Sequence, residues 1–490
     1  MPGRRCIVAS EPLIFELASP GRPGVRPPLP QFDAVDPAAV LPESQIRETL
    51  DLPEVSEIDV MRHFVRLSQR NHSIDTAIYP LGSCTMKYNP KINEVTARLP
   101  GLLEPHPYQP EASVQGLLAL IHDLEALLGE IAGFATVTTQ PAAGSQGEMV
   151  GLFCIQAWLR SRGERRTTVL VPDSAHGTNP ATATMTGMRV EPLGTAPDGN
   201  IDLDELDAKL NDDVAALMLT LPTTLGLFEQ RILEVTRRVH AAGGQVYGDG
   251  ANMNAMLGRV RPGDLGIDVM HLNLHKTFTT PHGGGGPGAG ALGVQPHLTP
   301  FLPGPRIVQT DAGYALEPAG PDSIGRVHSH VGNVGNLIRG YTYIRSLGRE
   351  GMREVADDAV LHANYLRARL APHFDIPYDR ICMHEVVLSG TRQRGLGVRT
   401  TDIAKRLIDY GVHPPTVYFP LIVDEALMIE PTETESIESL DQFAEALISV
   451  AHEAKTAPDL LHAAPTTAPV RRLDEVTANR SPDVNWTPAG

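Results

Sequence analysis

Apolar side chains along the middle of the chain recur with two periods, one typical of helices and one of buried strands. In residues 113–131 they fall at steps of three and four, which predicts an amphipathic helix that ends at Gly133. Four short apolar runs follow and predict buried strands at residues 168–171, 214–221, 245–247 and 267–274. Because helical patterns separate these runs, we expect an α/β fold whose sheet is mostly parallel.

After about residue 345 the pattern changes, and we expect a second, smaller domain there. Helical periods at residues 401–410 and 440–455 surround short strand candidates at 385–388 and 427–429. These elements predict a smaller C-terminal α+β domain beside the large one.

Proline is dense at both ends of the chain. Residues 1–53 contain ten prolines, a density that excludes long helices and central strands. Such a segment is either an arm on another surface or a disordered tail. The predicted division is a proline-rich arm with an active-site segment (1–110), a large domain (111–345), the small domain (346–456) and a C-terminal arm or tail (457–490).

Composition narrows the class of protein. The chain has 490 residues and a formal net charge of −17, so an extended nucleic-acid-binding surface is disfavoured. The most apolar helical run, residues 149–159, is shorter than the ~20 apolar residues of a membrane span. The cysteines form no CxxC pair, which favours a reducing environment, and they are Cys6, Cys84, Cys154 and Cys382. We therefore expect a soluble cytoplasmic protein with no nucleic acid or membrane as partner.

Lys276 directly follows the predicted strand at residues 267–274. Open α/β sheets bind ligands at the carboxyl ends of their strands, so its amine would face a cleft. A partly desolvated lysine loses its proton readily and forms an imine with an aldehyde. Because a single lysine is more often a solvated surface residue, the assignment depends on neighbouring segments.

Three other segments carry groups that a pyridoxal phosphate site needs. Asp249 ends the preceding strand, 27 residues before Lys276, and a carboxylate there can keep a pyridine nitrogen protonated. Residues 143–147 (AGSQG) open a predicted helix, where backbone N–H groups can approach a phosphate. His176 follows the strand at 168–171 and could stack on a flat ring. Each has an ordinary structural explanation alone, but their order along the chain predicts pyridoxal phosphate.

Two other patterns in the sequence would indicate a different cofactor or a metal. Residues 283–288 (GGGGPG) formally fit the GxGxxG of dinucleotide-binding folds, but Pro287, Gly288 and Gly290 break the helix that this motif requires. We interpret the run as a flexible loop beside the lysine. Four histidines lack the spacing of a metal site, so none is predicted: His275, His282, His328 and His330.

Several longer segments resemble the glycine cleavage P-protein, glycine dehydrogenase (decarboxylating). They are residues 79–90 (YPLGSCTMKYNP), 173–181 (DSAHGTNPA), 248–254 (GDGANMN), 268–278 (DVMHLNLHKTF) and 281–290 (PHGGGGPGAG). The resemblance extends from residues 11–16 (EPLIFE) to 469–475 (PVRRLDE), nearly the whole chain. It is strongest to subunit 2 of the two-subunit form, which corresponds to the lysine-bearing half of the single-chain form.

This resemblance implies an aspartate-aminotransferase-like fold (fold type I) with pyridoxal 5'-phosphate as cofactor. It implies three catalytic residues: Lys276 holds the cofactor as an imine, Asp249 contacts the ring nitrogen and His176 stacks on the ring. The other cofactor-binding residues that it implies are Gly144, Ser145, Gln146, Thr224, Ala251 and His275. Candidates for the substrate pocket and lipoyl channel are Ser83, Cys84, Thr85, Lys87 and Asn179.

The implied reaction is decarboxylation of glycine, with transfer of the aminomethyl group to the lipoyl arm of the H-protein. The lipoyl disulfide is the oxidant, so no nicotinamide site is needed. The implied partners are glycine, P-protein subunit 1 and lipoylated H-protein, in a heterotetramer of two subunit-1 and two subunit-2 chains.

The chain departs from the family pattern at a few positions near the site. Leu221 and Thr223 stand where asparagines are expected, and residues 328–330 where an aromatic residue is commoner. Two other functions stay open. One is another fold type I enzyme, such as a hydroxymethyltransferase, aldolase or transaminase, which residues 83–87 disfavour. The other is a non-catalytic partner subunit, which Lys276 disfavours.

Overall fold

The computed structural model describes residues 11–486, apart from 23, 25–27, 30, 48–51, 107 and 283–287. Cys6 and most of the predicted glycine-rich loop at 283–288 therefore lie outside the described residues. The chain divides into two compact units, residues 74–466 and residues 1–73 with 467–490. The four-part division at residues 110, 345 and 456 stays a prediction.

The helices and strands of the described residues alternate through the first two thirds of the chain. The α-helices are α1 (Glu57–Ser68), α2 (Ile92–Ala97), α3 (Pro100–Leu103), α4 (Gln115–Ala132), α5 (Gly144–Ser161), α6 (Thr178–Met185), α7 (Leu203–Lys209), α8 (Ile232–Ala241), α9 (Leu274–Thr277), α10 (Val334–Leu370), α11 (Thr391–Arg394), α12 (Thr400–Asp409), α13 (Ile437–Thr456), α14 (Pro458–Ala463) and α15 (Glu475–Arg480). The strands are β1 (Thr136–Thr138), β2 (Thr168–Pro172), β3 (Arg189–Leu193), β4 (Val214–Thr220), β5 (Gln245–Gly250), β6 (Val269–Asn273), β7 (Gly290–Val294), β8 (Arg306–Thr310), β9 (Gly313–Glu317), β10 (Val386–Ser389), β11 (Thr416–Val417) and β12 (Ala426–Ile429). Within the described part of the chain, every helix falls short of the length and apolarity needed to cross a membrane.

The large sheet has seven strands in the order β1-β7-β6-β5-β4-β2-β3. Strands β3, β2, β4, β5 and β6 are parallel to one another, and β7 is antiparallel to both of its neighbours. The four predicted strands are β2, β4, β5 and β6, and all are buried along their length, as continuous apolar runs require. The predicted α/β fold with a mostly parallel sheet is confirmed.

Helix α4 covers this sheet and ends as its sequence predicts. Gly133 adopts a left-handed conformation (φ 80°), and its N–H bonds back to the carbonyl of Gly129. A left-handed glycine is a common helix terminator because it carries no Cβ. The buried leucines and isoleucines of α4 join one core with residues of β4, β5 and β6.

The predicted smaller α+β part is also confirmed. Its antiparallel sheet has the order β10-β12-β11, and the C-terminal half of α10 packs on it with α12 and α13. Helix α10 is kinked at Gly348, whose φ of 62° and ψ of −169° are not helical. The two strand candidates and two helical periods of the sequence correspond to β10, β12, α12 and α13.

Residues 11–73 and 467–486 form the second unit. Between residues 11 and 56 no α-helix occurs in the described positions, in agreement with the proline density. Glu11 accepts hydrogen bonds from Arg66 Nε (2.7 Å) and His63 Nδ1 (3.1 Å), and the Phe15 ring stacks on Trp486 at 4.6 Å. That this unit contacts a partner subunit stays a prediction.

Candidate active site

Parallel strands bring the predicted site residues to one edge of the large sheet. Asp249 lies at the carboxyl end of β5, and Lys276 follows β6, its neighbour in the sheet. His176 follows β2 and Thr224 follows β4. Residues far apart in sequence therefore converge where open α/β sheets bind ligands.

Lys276 lies on α9, the single helical turn that follows β6. Its Nζ donates a hydrogen bond to the backbone carbonyl of Ser83 at 2.7 Å, and its side chain is half-buried. Ser83 and Thr85 both have positive φ, 64° and 44°, a conformation that costs free energy in residues other than glycine. A strained segment is thus held against the lysine amine.

Asp249 is buried and fully hydrogen-bonded as a carboxylate. It accepts from Asn179 Nδ2 at 3.0 Å and from the N–H of Ala251 at 2.9 Å, and His271 Nε2 lies 3.2 Å away. Burial by itself raises the pKa of Asp249, but His271 and the two donors together hold that pKa well below its ordinary value. Asp249 therefore carries a negative charge at neutral pH.

His271 was missed by the sequence reasoning. It pairs directly with Asp249 across β5 and β6, and its Nδ1 lies 2.7 Å from the Tyr247 hydroxyl. Burial opposes its protonation, yet Asp249 raises the pKa of His271 above its ordinary value. A histidine in the middle of an apolar strand indicates a buried polar contact. The sequence alone does not identify Asp249 as that contact, because the pairing depends on the register of β6 against β5.

Glu148 on α5 is a second missed group. Its Oε1 accepts from Thr178 Oγ1 at 2.9 Å, and it lies in the same buried cluster as Asp249 and His271. Burial and the charge of Asp249 raise the pKa of Glu148, which favours its protonated form.

His176 is half-buried beside the same edge. Its Nδ1 lies 2.9 Å from Thr178 Oγ1, and its ring meets the Phe419 ring edge-on with centroids 5.7 Å apart. Burial, supported by the charge of Lys276, lowers the pKa of His176 in spite of Asp249, so the ring is neutral at pH 7. A neutral imidazole can stack on a flat ring, as the sequence predicts.

The N-terminus of α5 has the properties of an anion site. Among the described residues no side chain caps this 18-residue helix at Ala143, so the N–H groups of its first turn are available to an anion. A Cβ on Gly144 would lie 2.6 Å from Asn273 Nδ2, which explains the glycine. The Gln146 side chain is occupied by the Ala142 N–H and the Val327 carbonyl, whereas Ser145 is exposed.

The other predicted cofactor-binding side chains are largely engaged by protein. The buried Thr224 hydroxyl donates to the Ser174 carbonyl. His275 Nδ1 lies 3.1 Å from the Ala289 carbonyl, and burial lowers the pKa of His275 to about 4. Leu221, one of the departures from the family pattern, is fully buried in the core of the large sheet.

The predicted channel residues divide into two groups. The buried ammonium of Lys87 bonds Glu433 (2.6 Å), Asn254 (2.7 Å) and Tyr343 (3.1 Å), so these contacts fix the segment that follows the strained loop. In contrast, Ser83 Oγ and Thr85 Oγ1 lack a hydrogen-bond partner among the described residues. Cys84 lies between them, and burial raises the pKa of its thiol. A channel role for these residues stays a prediction.

Comparison with known proteins identifies the family. The profile of the glycine cleavage system P-protein matches residues 31–314, and that of the glycine dehydrogenase C-terminal domain matches residues 355–466. A protein of Halalkalibacterium halodurans named "Probable glycine dehydrogenase (decarboxylating) subunit 2" is 56% identical, and the alignment covers 97% of this chain and 98% of that protein.

Solved structures agree on the fold. The crystal structure of an inhibitor-bound glycine decarboxylase (P-protein) superposes with a TM-score of 0.72 at 24% identity, covering 84% of this chain and 94% of that one. An apo cysteine desulfurase from Thermococcus onnurineus gives 0.59 at 15% identity, covering 77% and 95%. These likenesses confirm the predicted fold type I architecture, and with the two family profiles and the high identity to a subunit 2 they lead to one conclusion. The chain belongs to the glycine cleavage system P-protein family, among its glycine dehydrogenase (decarboxylating) subunit 2 members.

Proposed function

We propose that this chain is the cofactor-bearing subunit of glycine dehydrogenase (decarboxylating). In this proposal it decarboxylates glycine with pyridoxal 5'-phosphate and passes the aminomethyl group to the lipoyl arm of the H-protein. The observation that carries the proposal is the convergence of Lys276, Asp249 and the uncapped α5 N-terminus at one sheet edge, in a chain of this family.

The donor and acceptor groups at this edge fit pyridoxal phosphate. Lys276 would hold its carbonyl carbon, and the charged Asp249 would accept from its protonated ring nitrogen. The first-turn N–H groups of α5 would bind its phosphate. A Cβ on Gly144 would lie 2.6 Å from Asn273 Nδ2, so the glycine leaves room for a ligand to approach the backbone at the start of α5.

When bound, the cofactor supplies an electron sink for the pair of electrons that departing CO₂ leaves on the glycine carbon. The residues of this chain make that sink effective. Asp249 keeps its charge because His271 and Asn179 support the carboxylate. His176 restricts one face of the site, and the Ser83 carbonyl orients the Lys276 amine.

The proposal includes a partner subunit. Helix α1 presents four apolar side chains that are 47–59% exposed, namely Ile58, Met61, Phe64 and Val65. An exposed apolar helix face of this kind is typical of a surface that another chain covers. We propose that subunit 1 covers it, in an assembly of two subunit-1 and two subunit-2 chains, and that lipoylated H-protein docks transiently.

The exchange of labelled bicarbonate into the carboxyl group of glycine tests this function, because it reports the reversible decarboxylation step. The assay contains this chain, a subunit-1 partner, lipoylated H-protein and pyridoxal phosphate. We expect exchange with the parent chain and none with Lys276→Arg, which keeps the charge but cannot hold the cofactor in the same way. Equal exchange by both proteins, or none with the parent, contradicts the proposal.

A further inference from the structure

Two buried carboxyl groups face each other behind the strained segment that contacts Lys276. Val386 of β10 pairs with Ile429 of β12 in an antiparallel register, so one residue further along Glu385 lies opposite Glu430. Both side chains are 0% exposed. Two carboxylates in this position repel each other and lose their hydration, so a fully ionised pair is unfavourable.

One oxygen of each carboxyl group holds the segment at residues 83–85. Glu385 Oε2 accepts the N–H of Ser83 at 2.8 Å, and Glu430 Oε2 accepts the N–H of Thr85 at 3.0 Å. These are the two residues with positive φ, and the Ser83 carbonyl between them accepts from Lys276 Nζ. The carboxyl pair is therefore connected to the lysine amine through one peptide segment.

A buried histidine, His384, lies beside both carboxyl groups. Oε1 of Glu385 and Oε1 of Glu430 have no hydrogen-bond partner among the described residues, and neither do the ring nitrogens of His384. His384 Nε2 lies 3.9 Å from Glu385 Oε2 and 4.0 Å from Glu430 Oε1. Unpaired polar atoms at full burial are costly, so this cluster requires a proton or another ligand.

Burial and the mutual repulsion of the two carboxyl groups favour a proton on the pair. Burial lowers the pKa of His384 to about 3, so its ring is neutral, and Glu433 next to Glu430 is paired with Lys87. Burial raises the pKa of Glu430 to about 7 and that of Glu385 well above its ordinary value. In the described chain, the cation that acts on both carboxyl groups is Lys276. The other titratable groups on which Lys276 acts are Cys84, His176, His271, His275, His282 and His384.

We propose that Glu385 and Glu430 are positioning residues that share one proton, and that the single negative charge left on the pair acts on the Lys276 amine through residues 83–85. The pair holds the Ser83 carbonyl toward the Lys276 amine. While the pair retains one proton, the two carboxyl groups together carry a single negative charge behind that carbonyl. The relevance of this pair to catalysis rests on the proposed function, in which Lys276 holds the cofactor.

The reactivity of the Lys276 amine tests the shared proton, because acetylation consumes the unprotonated amine. It is measured on the full-length, cofactor-free chain as the ratio of Lys276 to Lys455 acetylation by limiting acetic anhydride at neutral pH, read by peptide mass spectrometry. The variants are Glu385→Gln, Glu430→Gln and the double variant, with Glu438→Gln on the exposed face of α13 as control and Lys455 as the reference lysine.

A shared proton gives an uneven pattern across these variants. Each single variant leaves one carboxyl group, which now ionises alone, so the charge behind Ser83 and the acetylation ratio stay at the parent value. The double variant removes the negative charge, which favours the unprotonated amine and raises the ratio at least about tenfold. Single variants that each give about half of the logarithmic increase of the double variant indicate two independent carboxylates and overturn the proposal. An unchanged ratio in a folded double variant also overturns it.

Infrared difference spectra give a second readout that does not need the double variant to fold. At neutral pH, we expect the spectrum of the parent minus that of either single variant to contain the carbonyl band of a protonated carboxyl group. The band appears because the remaining carboxyl group in each variant is ionised. Absence of this band overturns the shared proton, as does a divalent metal ion found in the purified parent by elemental analysis. Because neither readout uses the cofactor, a negative result here leaves the glycine-exchange result untouched, and the reverse also holds.

Discussion

At the scale of single residues, chemistry depends on groups whose charge is set by burial and by neighbours. Asp249 is buried yet charged, because His271, Asn179 and the Ala251 N–H all stabilise the carboxylate. His176 is half-buried and neutral. A charged and a neutral titratable side chain at one sheet edge are typical of catalytic sites, where each group needs a particular protonation state.

Replacing Asp249 by Asn tests its part in this site. The neutral amide cannot keep a ring nitrogen protonated, so we expect cofactor to be retained while bicarbonate exchange falls by roughly a hundredfold, on the order of 3 kcal/mol in the barrier. The matched control is Asp173→Asn, which follows β2, is exposed and bonds Thr195. Parent-level exchange in Asp249→Asn, with an unchanged melting temperature, would remove Asp249 from the electron-sink role.

Sequence reasoning found the residues whose position follows from a strand end. Lys276 and Asp249 could be placed because each follows an apolar run, and parallel strands end at one edge. His271 and the pair Glu385 and Glu430 could not be placed in the same way. The importance of His271 depends on the register of β6 against β5. That of the carboxyl pair depends on contacts with residues 83–85, which are 302 and 345 positions away in sequence and which no local pattern reports.

At the scale of elements, helix α5 lies unusually close to β5 and β6. A Cβ on Gly147 would lie 2.7 Å from the Cβ of His271, and one on Gly151 would lie 2.4 Å from the Tyr247 ring. Gly147 and Gly151 are four residues apart and so share one face of the helix. This approach places the α5 N-terminus beside Asn273 and His271 and lets the Tyr247 hydroxyl reach His271.

Two glycine-to-alanine changes in helices are expected to have opposite effects on stability. Gly151→Ala forces the buried Tyr247 ring to move, so we expect a loss of about 1–3 kcal/mol in the free energy of unfolding. Gly116→Ala on α4 meets no atom within 4 Å and is exposed, so it should stabilise by up to about 1 kcal/mol. Denaturant titrations measure both, and equal stability of the two variants would contradict the close packing of α5.

At the scale of the whole molecule, the chain covers nearly the full length of its subunit 2 relatives. Those relatives are named as one subunit of an enzyme, so a second polypeptide is needed for the complete one. The exposed apolar face of α1 is the surface that we assign to that partner.

Changing Phe64 to Asp places a charge on this face. We expect the Kd for the subunit-1 partner to rise at least about tenfold, on the order of 1.4 kcal/mol, because a buried charge replaces an apolar contact. Leu233→Asp on α8, which is 62% exposed in the unit of residues 74–466, is the control and should leave association unchanged. Gel filtration with light scattering measures both, and parent-like association of Phe64→Asp would exclude α1 from the interface.

The most direct test of the central claim is the covalent attachment of cofactor to Lys276. The full-length chain is loaded with pyridoxal phosphate, reduced with borohydride, digested and mapped by mass spectrometry. The account predicts a pyridoxyl group on Lys276, in the peptide that contains residues 268–278, and no such adduct in Lys276→Arg. An adduct on another lysine, or none at all on the folded parent chain, would contradict it.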